Sequence, residues 1–101
     1  MIYSLSVPGP IEDVAELRVL QWHGQPGHAF GAGELMVELE THKAVVEVRA
    51  RQAGVLREIL CPEGDWQEVG RTLALLSDTA DEPLPEPGAE LATMTVDFEV
   101  C

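Results

Sequence analysis

The sequence contains one pattern that could present a reactive side chain, the segment Glu40–Ala44 with the sequence ETHKA. Lys43 is the only lysine in the chain, because the other basic residues are all arginine. An apolar run, 35–39, precedes this segment, and a β-branched run, 45–48, follows it. Two strand-like runs separated by a few polar residues predict a β-hairpin. We therefore expect Lys43 at or beside the tip, where its amine is open to solvent and to other proteins.

No second set of residues in the sequence supports catalysis or metal binding. His23, His28 and His42 lack metal-ligand spacing with one another and with Cys61 and Cys101. No nucleophile–base pair, pair of catalytic carboxylates or phosphate loop can be assembled from the remaining residues. We therefore predict no catalytic residue and no metal site, and we expect no enzymatic activity of the domain's own.

Length and charge restrict the classes of partner. A chain of 101 residues with 46% hydrophobic content predicts one small domain with its own core. The net charge of −12 argues against nucleic acid and anionic membranes as partners, and would steer the domain toward basic patches on other proteins. No apolar run approaches the length of roughly 20 residues that a membrane span needs, and no signal peptide is recognisable. We expect a cytoplasmic location.

Short strand-like runs separated by glycine and proline turns predict an all-β sandwich or barrel. In 46–50 apolar and charged residues alternate, which is the period of a half-buried strand. Residues 11–16 are expected to form a connector with at most one helical turn, and 28–33 a loop anchored by Phe30. The predicted strands cover 2–7, 17–22, 35–41, 44–50, 55–61 and 72–76.

A faint internal repeat accompanies these strands. In both copies a glycine turn and a second glycine six positions later precede an apolar strand, which is the pattern of two similar β units packed around a pseudo-twofold axis. Four pairs of residues share the spacing of 37: Gly27 and Gly64, Gly33 and Gly70, Met36 and Leu73, and Leu39 and Leu76.

The C-terminal quarter changes character twice. Pro83, Pro85 and Pro87 cannot pair centrally in a sheet, so the acidic segment 79–92 is predicted to be a semi-rigid linker after a domain at 1–78. In 93–100 apolar and polar residues alternate regularly, which predicts an extra edge strand within 93–101, on this domain or on a neighbouring copy. Accordingly, we expect a monomer or a strand-mediated homodimer. The alternative is a tail with chance alternation.

Residues 34–78 resemble the lipoyl domain of 2-oxo acid dehydrogenase complexes. The specific features are Glu-Thr-x-Lys-Ala at 40–44, Gly54 eleven residues after Lys43, and a Glu-Gly-Asp turn at 63–65. The resemblance implies a flattened β-barrel of two four-stranded antiparallel sheets related by a pseudo-twofold axis. It also implies that Lys43 carries lipoic acid through an amide bond.

The resemblance further implies a set of recognition residues and partners. Glu40, Thr41, His42, Ala44 and Gly54 match positions at which the lipoylating enzyme or partner enzymes recognise the domain. Those partners are a thiamine-dependent decarboxylase, an acyltransferase and dihydrolipoamide dehydrogenase, between which the lipoyl arm carries acyl groups and reducing equivalents. The hard chemistry belongs to the cofactor and to these enzymes.

Departures from the family pattern leave alternatives open. The family usually has aspartate immediately before the lysine, where this chain has His42, and this puts recognition by a particular decarboxylase in doubt.

A biotin carrier shares the fold, but its lysine is normally flanked by methionines rather than by His42 and Ala44. The other alternative is an unmodified interaction module of the same fold. No acyltransferase motif follows, which favours a free-standing carrier over the leading piece of a longer acyltransferase.

Overall fold

The structure, a computed structural model, describes residues 1–86 and 89–100. Within these residues it contains ten β-strands and no helix, so the predicted all-β class is confirmed. No helix capable of spanning a membrane occurs in this part of the chain. The strands are β1 (Ile2–Ser6), β2 (Glu16–Trp22), β3 (Ala29–Phe30), β4 (Leu35–Glu40), β5 (Val45–Ala50), β6 (Gly54–Ile59), β7 (Trp66–Glu68), β8 (Thr72–Ser77), β9 (Ala92–Thr93) and β10 (Val96–Val100).

The strands form two five-stranded sheets. The first has the order β3-β6-β8-β1-β9, and the second has the order β10-β5-β4-β2-β7. All neighbours are antiparallel except β1 and β9, which are parallel. Without β9 and β10 each sheet has four antiparallel strands, which confirms the predicted pair of four-stranded sheets.

Four glycine turns reveal the internal repeat in the backbone. Gly27 and Gly64 have φ values of 102° and 92°, and Gly33 and Gly70 have φ values of 90° and 88°. An L side chain rarely adopts these left-handed conformations, so glycine is required at equivalent points of the two copies. The predicted repeat at a spacing of 37 residues therefore corresponds to repeated backbone geometry.

Hydrogen bonds of these turns follow the same symmetry. The Gly27 N–H donates to the Leu56 carbonyl at 2.7 Å, and the Gly64 N–H donates to the Val19 carbonyl at 2.8 Å. Leu56 and Val19 are also separated by 37 residues. In the first bond the donor lies in the first copy and the acceptor in the second, and in the second bond the two copies exchange these roles. Such an exchange is the signature of a twofold relation, in which each half of the chain supports the other.

The core lies between the two sheets and is mostly aliphatic. Alternate side chains of each strand point inward, as the period of two requires. Phe30 is 2% exposed, so its predicted role as a core anchor is confirmed. The other fully buried side chains with the largest volumes are Leu5, Leu17, Met36, Leu39, Leu56, Leu73, Leu76, Val19, Val37, Val46 and Val48.

The C-terminal segment joins both sheets instead of forming one strand. β9 pairs with β1 of the first sheet, and β10 pairs with β5 of the second. Between them Met94 is 2% exposed and donates its N–H to the Ser4 carbonyl at 2.9 Å. The predicted extra strand is thus confirmed on this domain, but it changes sheets at Met94 and Thr95, because β9 is added beside β1 at the end of one sheet and β10 beside β5 at the end of the other.

The acidic segment that precedes β9 lies against the outer face of the first sheet. Pro85 and Leu91 line a groove together with Leu60 and Leu75. Arg57 fixes the start of this segment by donating to the Glu82 carbonyl at 2.7 Å. Of the three predicted linker prolines, Pro87 lies outside the described residues, as does Cys101.

The connector predicted at 11–16 contains no helical turn. It holds an isolated bridge between Ile11 and Val14, where the Val14 N–H donates to the Ile11 carbonyl, and the start of β2. One local expectation was wrong. The predicted loop at 28–33 includes the short strand β3, in which Phe30 pairs with Gly54 of β6.

Candidate functional site

The β4–β5 hairpin positions Lys43 in its connecting turn. Glu40 pairs with Val45, and Leu39 pairs with Val46 one step further from the turn. Leu39 and Val46 are fully buried, so the register of both arms is fixed by the core. The predicted hairpin with Lys43 at its tip is confirmed.

Thr41 organises the turn from within. Its side-chain oxygen accepts hydrogen bonds from the N–H groups of Lys43 (3.0 Å) and Ala44 (2.9 Å). The Thr41 N–H donates to the Ala44 carbonyl at 2.8 Å. Thr41 is only 8% exposed, so these bonds are partly shielded from water. The backbone on both sides of Lys43 is therefore held in one conformation.

The Lys43 amine is open to chemistry. Lys43 and His42 are both exposed. Within 1–86 and 89–100, no carboxylate lies within 4.0 Å of the Lys43 amine. The nearby Glu40 carboxylate instead accepts a hydrogen bond from Arg18 of β2 at 2.9 Å. An acylating enzyme can therefore approach the amine without breaking an ion pair.

The structure brings together four of the predicted recognition residues and separates the fifth. Glu40, Thr41, His42 and Ala44 are all in or beside the turn. Gly54 is buried at the start of β6, in the opposite sheet. A Cβ at Gly54 would contact Leu76 Cδ2 and Met94 Cε, each at 3.4 Å. These are ordinary van der Waals distances, so packing does not by itself require glycine here. The predicted role of Gly54 in enzyme recognition stays a prediction.

Sequence reasoning missed how the turn is braced. Arg18 holds Glu40 from the neighbouring strand, and the cross-strand register that aligns these two residues is not visible in a single sequence. The capping by Thr41 could have been predicted from the sequence, because a threonine side chain can accept hydrogen bonds from backbone N–H groups two and three residues further on. Both contacts restrain the end of the hairpin on which Lys43 is carried.

The other candidate chemical groups are spread over the surface and core. Burial raises the pKa of the Cys61 thiol, which keeps it protonated and unreactive. His23 contacts Glu38 at 2.6 Å, and His28 contacts Glu34 at 2.7 Å. In the part of the chain that the structure describes, no group of three His, Cys, Asp or Glu residues could hold a metal ion.

Two sheets around an aliphatic core, with a single lysine raised on a capped hairpin, form the architecture of biotinyl and lipoyl carrier domains. The model of the family described as "Biotin-requiring enzyme" matches residues 4–76. The chain belongs to this biotinyl/lipoyl-attachment family, as the resemblance at 34–78 implied.

Several relatives are dihydrolipoyllysine-residue succinyltransferase components of the 2-oxoglutarate dehydrogenase complex. The chain is 38% identical to that of Staphylococcus saprophyticus, over 92% of this chain and 24% of the relative. It is 40% identical to that of Bacillus subtilis, over 77% of this chain and 19% of the relative. Another relative is a protein X component of a pyruvate dehydrogenase complex, from Chaetomium thermophilum, 30% identical over 75% of this chain and 17% of the relative. The chain therefore spans a quarter or less of the length of these relatives.

A solved structure also matches the fold. The lipoyl domain of the 2-oxoglutarate dehydrogenase complex from Azotobacter vinelandii superposes with a TM-score of 0.64 at 38% identity. The match covers 75% of this chain and 96% of that domain.

Proposed function

We propose that this chain is a lipoyl carrier whose Lys43 holds lipoic acid through an amide bond and serves a 2-oxo acid dehydrogenase-type complex. The observation that carries the proposal is the position of Lys43, the chain's only lysine, exposed at the tip of a hairpin fixed by buried Leu39 and Val46. A single exposed lysine gives the lipoylating enzyme one acceptor amine on this surface. The family membership and the lipoyl-domain structure support lipoic acid as the attached group.

The residues of the turn fit this attachment. Lys43 is free of ion pairs among the described residues, so acylation replaces one N–H bond by an amide bond and costs no stabilising contact. Thr41 holds the backbone on both sides of Lys43 while the Lys43 side chain stays exposed. When bound, the group supplies a dithiolane that accepts an acyl group together with two electrons.

The hairpin's task is to present the arm to several enzymes in turn. A rigid base fixes the direction in which Lys43 projects, and the domain raises the effective concentration of the arm at each partner. The named succinyltransferase relatives belong to 2-oxoglutarate dehydrogenase complexes. This supports a decarboxylase, an acyltransferase and dihydrolipoamide dehydrogenase as partners, with the lipoylating enzyme acting first. The net charge of −12 favours basic docking surfaces on these enzymes.

Reductive acylation tests the proposal. The lipoylated protein is incubated with a bacterial 2-oxoglutarate decarboxylase component and 2-oxoglutarate, and in parallel with a pyruvate decarboxylase component and pyruvate. We expect acylation with 2-oxoglutarate to be faster, measured as kcat/KM by mass spectrometry. Lys43→Arg keeps the charge but removes the acceptor amine, and it should give no acylation in either reaction.

The same assay measures the consequence of His42. His42→Asp restores the residue that the family usually has before the lysine, at an exposed position whose side chain forms no ion pair within 4.0 Å among residues 1–86 and 89–100. We expect kcat/KM to change for one decarboxylase more than for the other. Attachment of biotin in place of lipoic acid by a biotin-attaching enzyme would contradict the proposal. Absence of acylation of both the original chain and His42→Asp would contradict it as well.

A further inference from the structure

Four strands form the described edges of the two sheets, and they differ in length. β3 and β9 have two residues each, β7 has three, and β10 has five. Short edges offer few unpaired backbone groups, which is one way in which proteins block pairing with another chain. β10 is therefore the one described edge long enough to template a further strand.

One face of β10 is apolar and incompletely covered. Phe98 pairs with buried Val48, and Val100 pairs with buried Val46, so both side chains point toward the core side of the sheet. They lie at its margin, however, and remain 41% and 48% exposed. An edge protected against pairing would carry charge at such inward positions. β10 carries phenylalanine and valine there.

A groove extends from this apolar face. Val7, Pro8, Met94 and Phe98 are among the residues that line it, and its volume is about 440 Å³. A strand added beside β10 would direct alternate side chains to the same side as Phe98. The groove has room for these side chains and offers them an apolar wall.

The opposite face of β10 is acidic. Glu99 pairs with Glu47, and Glu47 pairs with Glu38, so three carboxylates lie side by side across β10, β5 and β4. Like charges directly opposite one another destabilise a sheet. His23 contacts Glu38, and Arg49 approaches Glu47 at 3.8 Å. No ion pair within 4.0 Å involves Glu99 among residues 1–86 and 89–100.

Asp97 adds a second carboxylate to this face of β10. It pairs in register with Arg49. Its carboxylate lies 3.6 Å from the Arg51 guanidinium, and the side chains of Asp97 and Arg51 are both well exposed. Arg49 and Arg51 are two cations against the four carboxylates of Glu38, Glu47, Asp97 and Glu99, so the face stays negative. The partner of this face would supply cations opposite Glu99 and Asp97.

We propose that the free edge of β10 binds an extended segment of another protein in which apolar residues alternate with lysine or arginine. The segment would add a sixth strand to the sheet, with main-chain hydrogen bonds to β10. Its apolar residues would enter the groove beside Phe98, and its basic residues would face Glu99 and Asp97. The surface contains none of the turn residues 40–44, so it goes beyond the carrier role.

A second copy of this chain fits the edge less well. Side chains directly opposite in a ladder lie on the same face, so pairing of β10 with another β10 would place Asp97 and Glu99 against the same two carboxylates. The acidic face that attracts a basic strand repels its own copy. Self-association is therefore an outcome that the test must distinguish.

Peptide titration of the isotopically labelled full chain tests the proposal. The probe is an end-blocked hexapeptide of alternating lysine and valine, at low ionic strength. One control peptide has glutamate in place of lysine, and another has the same composition with the lysines and valines in separate blocks. We expect only the alternating basic peptide to shift the amide resonances of 96–100 at low concentration, with the hairpin turn unaffected.

Matched variants locate the binding surface. Glu99→Lys should weaken binding of the basic peptide about fivefold, since it replaces an exposed attraction by a repulsion. Glu58→Lys makes the same change in net charge on the other sheet and should alter binding less than about twofold. Phe98→Ser should weaken binding without changing the net charge. Thermal melting of each variant verifies that it is folded.

Several results would overturn the proposal. Equal binding of the basic and acidic peptides would show that charge does not select the segment. Equal effects of Glu99→Lys and Glu58→Lys would show that binding depends on the net charge of the domain and not on the face of β10. Resonances of 96–100 that shift on dilution without peptide would show that a second copy occupies the edge. Each outcome leaves lipoylation of Lys43 unchanged, so failure here is distinct from failure of the carrier role.

Discussion

Replacing Thr41 by valine tests whether the turn is held by the threonine hydroxyl. The change keeps the volume of the side chain and removes the oxygen that accepts hydrogen bonds from Lys43 (3.0 Å) and Ala44 (2.9 Å). Each intramolecular hydrogen bond contributes about 0.5–1.5 kcal/mol, and the N–H of exposed Lys43 can regain water. We therefore expect the free energy of unfolding to fall by about 1–2 kcal/mol.

Two measurements follow from this change. Thermal melting should show Tm lower by about 5–15 °C, because 1 kcal/mol corresponds to about 4–8 °C in a domain of this size. The rate of lipoylation at saturating lipoylating enzyme should fall as well, since the turn then occupies other conformations. Thr41→Ser keeps the hydroxyl and should retain most of the stability. Thr93→Val is the matched control at an exposed threonine of β9 and should change Tm little.

The reasoning is refuted if Thr41→Val melts and is lipoylated like the original chain. Loss of stability without loss of lipoylation would show that the threonine stabilises the fold but does not present Lys43. A Thr93→Val variant that loses as much stability as Thr41→Val would show that the effect belongs to any threonine.

Two further predictions concern the repeat and the chain's beginning. Gly33→Ala and Gly70→Ala should each lower the free energy of unfolding by about 1–2 kcal/mol in urea titrations, because both glycines have φ near 90°. Gly31→Ala, without positive φ and with open space around it, should be nearly neutral. The side chain of Glu82 binds the N-terminal amine of Met1; the hydrogen bond raises the pKa of the amine above 8.0 and lowers the pKa of Glu82 below 4.5. The stabilisation is lost as pH rises through the amine's folded-state pKa, and also as pH falls through the folded-state pKa of Glu82. At low salt, the Tm of Glu82→Gln should therefore fall less than that of the original chain at both high and low pH.

The central hairpin was predictable because its determinants are local. Two strand runs of five or six residues flank Lys43, and their apolar residues recur at the period of a half-buried strand. The repeat was visible for a related reason, since a positive φ at Gly27 and Gly64 leaves glycine as the residue of choice. Where backbone geometry restricts the residue type, a single sequence records the geometry.

The features that were missed depend on contacts between distant residues. β3 and β7, with two and three residues, are too short for alternation to be recognised. The division of the C-terminal strand at Met94 depends on β1 and β5 being the strands, in two different sheets, that β9 and β10 join. The ion pair of Arg18 with Glu40 depends on strand register. None of these relations has a local signature in the sequence.

The most direct test of the central claim is the intact mass of the chain after incubation with a lipoylating enzyme, lipoic acid and ATP. We expect one lipoyl increment on the original chain, located at Lys43 by peptide mapping, and none on Lys43→Arg. An unmodified original chain, or an increment that persists in Lys43→Arg, would contradict the account.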